Sequence, residues 1–382
     1  MLSKLNITGL DCFKAAVIFF PIIIYPPFFF QQSFPQSIRV GLFLILCCYL
    51  FLSSFRYKVR DLILIFSLSL LLIILFSSNT REIPGLFNIG SNILTIIFGW
   101  LMYRYLEEKK QRVEVMLKVY SLFFYLAATC SIISLLYFQV AGEYDIFGYG
   151  SDRFTYLVTP FGIIYTKFFG SIEVYRSVFF FNEPIHASLF FAANVIIVSP
   201  LLNKNSILFK ILNLIAGVLL MSLTFYILLI ALYFFSKKMS IKSFTIWLLS
   251  SIFFTIVLIG FDFINSSSIF DRLSSYEIFF KTLEQATTKQ LFFGHGIRGF
   301  TLGGFNSGIA ISIVEYGFVG FMLLVLILVL LLRLNILIFL FIFLSSLVLD
   351  PLKTPFFWFL IILMTVKIRD INKKQVRSGL PI

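Results

Sequence analysis

The stretch NSGIAISIVEYGFVGFMLLVLILVLLLR, residues 306–333, decides the class of fold. Before Arg333 it carries a single charge, Glu315, in a run long enough to cross the roughly 30 Å hydrocarbon core of a bilayer as a helix. Runs of the same kind recur along the whole chain. Read against the basic clusters, they predict helices at roughly 13–31, 38–55, 62–77, 88–103, 119–140, 185–202, 207–220, 222–236, 244–261, 307–332, 336–349 and 355–368. The expectation is an all-α, polytopic transmembrane helical bundle of about 12 spans, one membrane domain over 1–382, with both termini in the cytoplasm.

Composition points the same way. The chain is 59% hydrophobic and 13% charged, where a soluble domain carries about 25% charged residues for solvation. Its net charge of +13 does not imply nucleic acid, because the basic residues sit in clusters at the ends of apolar runs. These clusters are Arg56, Lys58 and Arg60; Arg104, Lys109, Lys110 and Arg112; Lys237, Lys238 and Lys242; and Lys367, Arg369, Lys373, Lys374 and Arg377. Each marks a cytoplasmic end under the positive-inside rule. The resulting topology puts about two thirds of the 31 basic residues and about a third of the 18 acidic residues inside. Between Lys204 and Lys237 the chain must cross twice in few residues, so short or broken helices are expected near Ser222 and Thr224. Cys12, Cys47, Cys48 and Cys130 fall in or beside apolar runs, and neither a disulfide nor a metal site is expected. The first apolar run lacks a small-residue cleavage pattern and reads as a retained helix.

Two connections stand out for length, 141–184 and 262–306, and both fall on the outside. Long loops in compact proteins are usually functional, and these are rich in Tyr, Phe, Gly and paired charges, which predicts order. The first holds Arg153, Arg176 and Glu183, with His186 just beyond. Charges this near a membrane boundary are costly unless paired or solvated. An Arg176–Glu183 ion pair pinning the loop is one reading; a cation for phosphate beside a carboxylate for a proton is the other.

The second loop contains DRLSSYEIFFKTLEQATTKQLFFGHGIRGF, residues 271–300, an amphipathic helix followed by a glycine-punctuated turn. Phe279, Phe280 and Leu283 can lie against lipid or the bundle, while Lys281 and Glu284 face water. GHGIRG at 294–299 spells the dinucleotide fingerprint but lacks the flanking strand and helix that give it meaning. It reads either as an anion nest formed by backbone amides with Arg298 and His295, or as a plain turn with solvated charges. Glu315, inside an apolar helix, needs a partner, and an Arg from a loop is expected. Gly317 and Gly320 would let another helix approach closely.

These residues resemble a known family. The run from Arg272 and Tyr276 through LFFGHG at 291–296 to NSGIAISIVEYGFVG at 306–320 is similar to the second large loop and following helix of Wzy-type O-antigen polymerases and WaaL-type O-antigen ligases. RSVFFFNEP at 176–184 resembles the end of their first large loop. The likeness spans the C-terminal two thirds; the first hundred residues share hydropathy alone. The ligases usually carry a His directly before the Asn that opens the later helix. Here Phe305 precedes Asn306, which favours the polymerase.

The resemblance implies a GT-C-like bacterial inner-membrane glycosyltransferase that polymerises undecaprenyl-diphosphate-linked repeat units on the outer side of the membrane. A ligase of the same family and a lipid-linked oligosaccharide flippase are the alternatives. The implied partners are a lipid-diphosphate-linked glycan donor and acceptor, membrane lipids and a chain-length regulator, with no nucleic acid, metal or cofactor. A lipid diphosphate is already activated, and no P-loop or acidic metal cluster is evident in the sequence. Arg272, Arg298, Glu183 and His295 are the expected catalytic residues, and Arg176, Arg153, Tyr276, Asn306 and Glu315 the expected substrate-binding ones. Arginines would hold the diphosphate bidentately, and Glu183 or His295 would take the acceptor proton.

Overall fold

The computed structural model of the chain describes residues 9–24, 35–53, 59–78, 83–141, 145–151, 154–169, 172–181, 184–202, 206–220, 222–236, 268–295, 307–332, 335–348 and 353–378. They are mostly helical. The helices are α1 (Gly9–Ile23), α2 (Gln36–Ser53), α3 (Val59–Ser78), α4 (Ile83–Glu108), α5 (Lys110–Ala141), α6 (Pro184–Ala193), α7 (Ser206–Leu219) and α8 (Leu223–Ser236). They continue with α9 (Ser268–Gln285), α10 (Thr288–Phe293), α11 (Gly308–Leu332), α12 (Ile336–Val348) and α13 (Pro355–Ser378). Every expected helical segment but one carries a helix; the exception, 244–261, lies outside the described residues. Among the described residues, Lys110–Ala141, Pro184–Leu201 and Gly308–Leu331 are long and apolar enough to cross a membrane, and several shorter helices are equally apolar.

The fold is not purely helical. Within the first long loop, β1 (Asp145–Ser151), β2 (Phe154–Thr159), β3 (Gly162–Phe169) and β4 (Ile172–Phe179) form an antiparallel meander in the order β1-β2-β3-β4. FTYLVT, GIIYTKFF and IEVYRSVF are dense in β-branched and aromatic residues, which suit a pleated, half-buried surface. Leu157 pairs with Ile164, and Ile164 with Ser177, so all three point to one face, and that face is buried. A two-residue turn at Pro160–Phe161 joins β2 to β3. The Thr159 hydroxyl donates to the Gly162 carbonyl at 2.9 Å and lies 2.7 Å from the Ser134 hydroxyl, which ties the turn to α5.

The chain divides into two compact units. The first, Met1–Phe43 with Lys110–Ser266, is organised on α5, which packs against α1, α7 and the sheet. Its core is aromatic: Phe124 meets Phe181, Phe190 and Phe191, and Phe181 stacks on Phe190 at 5.5 Å between centroids. A buried polar chain crosses this core. Tyr120 donates to Asn194 at 2.7 Å, Asn194 to Asn213 at 2.8 Å, and Asn213 to the Phe209 carbonyl at 2.8 Å. Asn194 opens a π-helical segment, Asn194–Val198, so the extra residue per turn coincides with a side chain that hydrogen-bonds to both α5 and α7. The expected break near Ser222 is present: α7 ends at Leu219, α8 starts at Leu223, and Gly217 leaves room for the Phe225 ring.

The second unit, Leu44–Lys109 with Ser267–Pro381, pairs α4 with α13 and α3 with α11. At one end it holds a buried charge cluster. Asp61 on α3 accepts from the Trp100 indole at 3.0 Å and lies 3.6 Å from Arg104 on α4. Arg104 reaches Glu107 at 3.5 Å, and Arg369 on α13 reaches the same Glu107 at 2.7 Å while also donating to the Tyr103 hydroxyl. Asp61 is 1% exposed and Arg104 4%, so these charges are buried and partnered within the protein.

Candidate functional site

The second unit brings three of the expected residues into one neighbourhood. Tyr276 lies on α9, and the next turn places Phe279 against Ala310 and Val314 of α11. The Tyr276 hydroxyl donates to the Leu347 carbonyl at 2.9 Å, which fastens α9 to the end of α12. The Ser307 hydroxyl donates to the Ser346 carbonyl at 3.1 Å, so the start of α11 meets the same end of α12.

After Gln285 the chain restarts as α10 through a complete capping box. Thr287 accepts from the Gln290 amide, and the Gln290 side chain accepts from the Thr287 amide at 2.8 Å. The short helix stops at Gly294, whose φ of +84° is open to glycine and strained for L side chains. Opposite it, α11 is interrupted at Gly317 with φ +68° and ψ 178°. The two backbones touch. A Cβ on Gly294 would lie 2.2 Å from the Glu315 carbonyl oxygen, and one on Gly317 would lie 2.3 Å from the Phe292 carbonyl oxygen. The His295 amide donates to the Val314 carbonyl at 2.8 Å, using an acceptor that the interrupted helix leaves available. Thus Gly294 and His295 form a turn held against a broken helix, and among the described residues the motif follows a short helix rather than the strand a dinucleotide site needs.

Beside the break, Glu315 accepts from the Lys353 ammonium through both carboxylate oxygens, at 3.0 and 2.9 Å. Among the described residues the cation at hydrogen-bond distance is Lys353, from the connection between α12 and α13; the loop arginines Arg153 and Arg298, candidates for the expected partner, lie outside the described residues. The glutamate is mostly buried and the lysine about a third exposed, so the pair opens to its surroundings on the lysine side. His295 is half-buried, and desolvation holds its pKa below the ordinary imidazole value. Its side chain is therefore neutral at physiological pH and able to accept a proton.

Arg176 belongs to the first unit. It sits on β4 directly across from Tyr165 of β3. Burial lowers the guanidinium's proton affinity, and Tyr165 partly offsets this. Arg272 lies on α9, four residues before Tyr276. Arg153, Glu183, Arg298 and Asn306 lie outside the described residues. The residue that sequence reading missed is Lys353. Its signal was present, a lone cation in DPLKTP facing a lone anion in an apolar helix, both assigned to one side by the topology.

Comparison with known proteins found no matching family model, no matching characterised sequence and no matching solved structure. What stands is a mostly helical protein in which, among the described residues, three helices are able by length and composition to cross a membrane.

Proposed function

We propose that the chain is a bacterial inner-membrane glycosyltransferase that polymerises undecaprenyl-diphosphate-linked repeat units on the outer side of the membrane. The observation that carries this reading is the junction of the second long loop with the broken α11, where His295, Glu315 and Lys353 converge. Non-helical backbone within a membrane-length helix persists where protein or a cavity covers it, and such breaks accompany substrate sites. The loop that makes the junction is also the one carrying the motifs shared with O-antigen polymerases.

Helix parity supports the proposed topology of about 12 spans. Asp61, Arg104 and Arg369 come from three helix ends that the sequence assigns to the inside, and they meet. Glu315, Lys353, Tyr276 and Leu347 come from ends assigned to the outside, and they meet as well. An odd error in span number between these segments would have separated them.

In the proposed step, the bond between the anomeric carbon and the diphosphate oxygen breaks as a bond forms to an acceptor hydroxyl. The hydroxyl proton passes to His295, and undecaprenyl diphosphate leaves. Arg272 and Arg298 hold the diphosphate as charge develops on it, with Tyr276, Asn306 and Glu315 shaping the substrate site. The test is reconstitution in proteoliposomes with lipid-linked repeat units isolated from a strain lacking this gene. A ladder of lengthened glycans with release of undecaprenyl diphosphate is expected. Translocation of unlinked repeats without glycosidic bond formation would overturn the reading in favour of a flippase, and transfer restricted to lipid A core in favour of a ligase.

A further inference from the structure

The elbow formed by α9 and α10 presents aromatic surface that the protein does not cover. Phe279 is buried against α11, but Phe280 beside it is exposed, and at the end of α10 Phe292 and Phe293 are 51% and 41% exposed. Single exposed apolar residues are ordinary, whereas a contiguous group marks contact with something else. What covers this group is indicated by where α10 ends. Its last residues touch α11 at Val314–Gly317, six to nine residues into the helix that starts at Gly308. At about 1.5 Å per residue that is roughly 9–14 Å along the helix. Amphipathic helices lying in a membrane interface bury their apolar face about 5–10 Å deep. A 24-residue apolar helix of about 36 Å exceeds the roughly 30 Å hydrocarbon core by about 3 Å at each end, which puts the contact level about 6–11 Å inside the acyl boundary. From that level down to the next turn α11 shows an exposed apolar face of its own, with Phe318 44% and Met322 63% exposed. Phe292 borders that face directly, since its carbonyl lies against Gly317.

We infer that α10 is an interfacial membrane anchor, with Phe292 and Phe293 seated among the lipid chains next to α11 and Lys289 at its start facing water. The occupant is bulk membrane lipid. The anchor fixes the depth of His295 and of the Glu315–Lys353 pair below the membrane surface, and it holds whether or not the chain transfers sugars.

The experiment uses the full chain in vesicles of phosphatidylethanolamine and phosphatidylglycerol, with and without brominated acyl chains. Phe292→Trp and Phe293→Trp each add one tryptophan to the three native ones, and Lys289→Trp serves as the aqueous control. Brominated chains should remove most of the added emission at 292 and 293, while iodide removes it at 289. Added emission at 292 and 293 that iodide quenches and bromine does not would overturn the anchor. Emission insensitive to both, in a chain that crosslinks as a dimer, would overturn it in favour of a second copy. Where a tryptophan variant is not monodisperse, photolabelling of the unmodified chain by a lipid-borne carbene gives the same reading. Label on 288–293 supports the anchor, and its absence there overturns it.

Discussion

Gly294 and Gly317 lie backbone against backbone, each with positive φ, and each occupies space that a side chain on the other would need. A positive φ costs an L residue roughly 1–2 kcal/mol, and here a Cβ also strikes carbonyl oxygens that are fixed by neighbouring helix. Gly294→Ala and Gly317→Ala are each expected to destabilise the protein by more than that strain and to abolish polymer formation. Thermal unfolding in detergent measures the first effect and glycan ladders the second.

The Glu315–Lys353 pair predicts a coupled mutant cycle. Glu315→Gln or Lys353→Met alone takes a charged partner from a partly buried group, at about 1–3 kcal/mol. The double variant should recover part of that loss, with a coupling of about 0.5–3 kcal/mol. Additive losses would show that the two side chains do not act as a pair.

The cluster at the other end of the second unit predicts larger effects. Asp61→Asn and Arg104→Ala each take a charged partner from a buried ion cluster, at about 3–5 kcal/mol. Both should lower the unfolding midpoint more than Lys281→Ala, which removes a fully exposed, solvent-screened pair with Glu277.

His295 carries the pH prediction. Its pKa lies below the ordinary imidazole value because burial disfavours the charged form. A neutral base works above its pKa, so kcat/KM should hold at neutral pH and fall as pH drops through that lowered value. His295→Gln should lower the plateau and remove this acid limb. An unchanged profile would rule out His295 as the base.

Much of the helical plan was legible because a membrane helix is written locally: length, apolarity and flanking charge sit within one segment. The break near Ser222 was legible for the same reason, as thirty residues between two basic markers cannot form two full spans. The sheet over 145–179 was read only as an ordered loop. Its strands stabilise one another and α5, and that pairing is not visible in any one of them. Glu315 was recognised as needing a cation. Its partner was not, because Lys353 is 38 residues away and placed there by packing. Likewise Arg104 and Arg369 read as membrane-end markers, and the buried network joining them to Glu107 depends on how three helices meet.

The most direct measurement is chain growth by purified protein carrying Arg272→Ala or Arg298→Ala, given the lipid-diphosphate-linked repeat and analysed by gel. Both variants should bind to vesicles and fold as the unmodified chain does, yet leave single repeats where it builds a ladder. Full-length polymer from both variants would contradict the assignment of these guanidinium groups to the diphosphate.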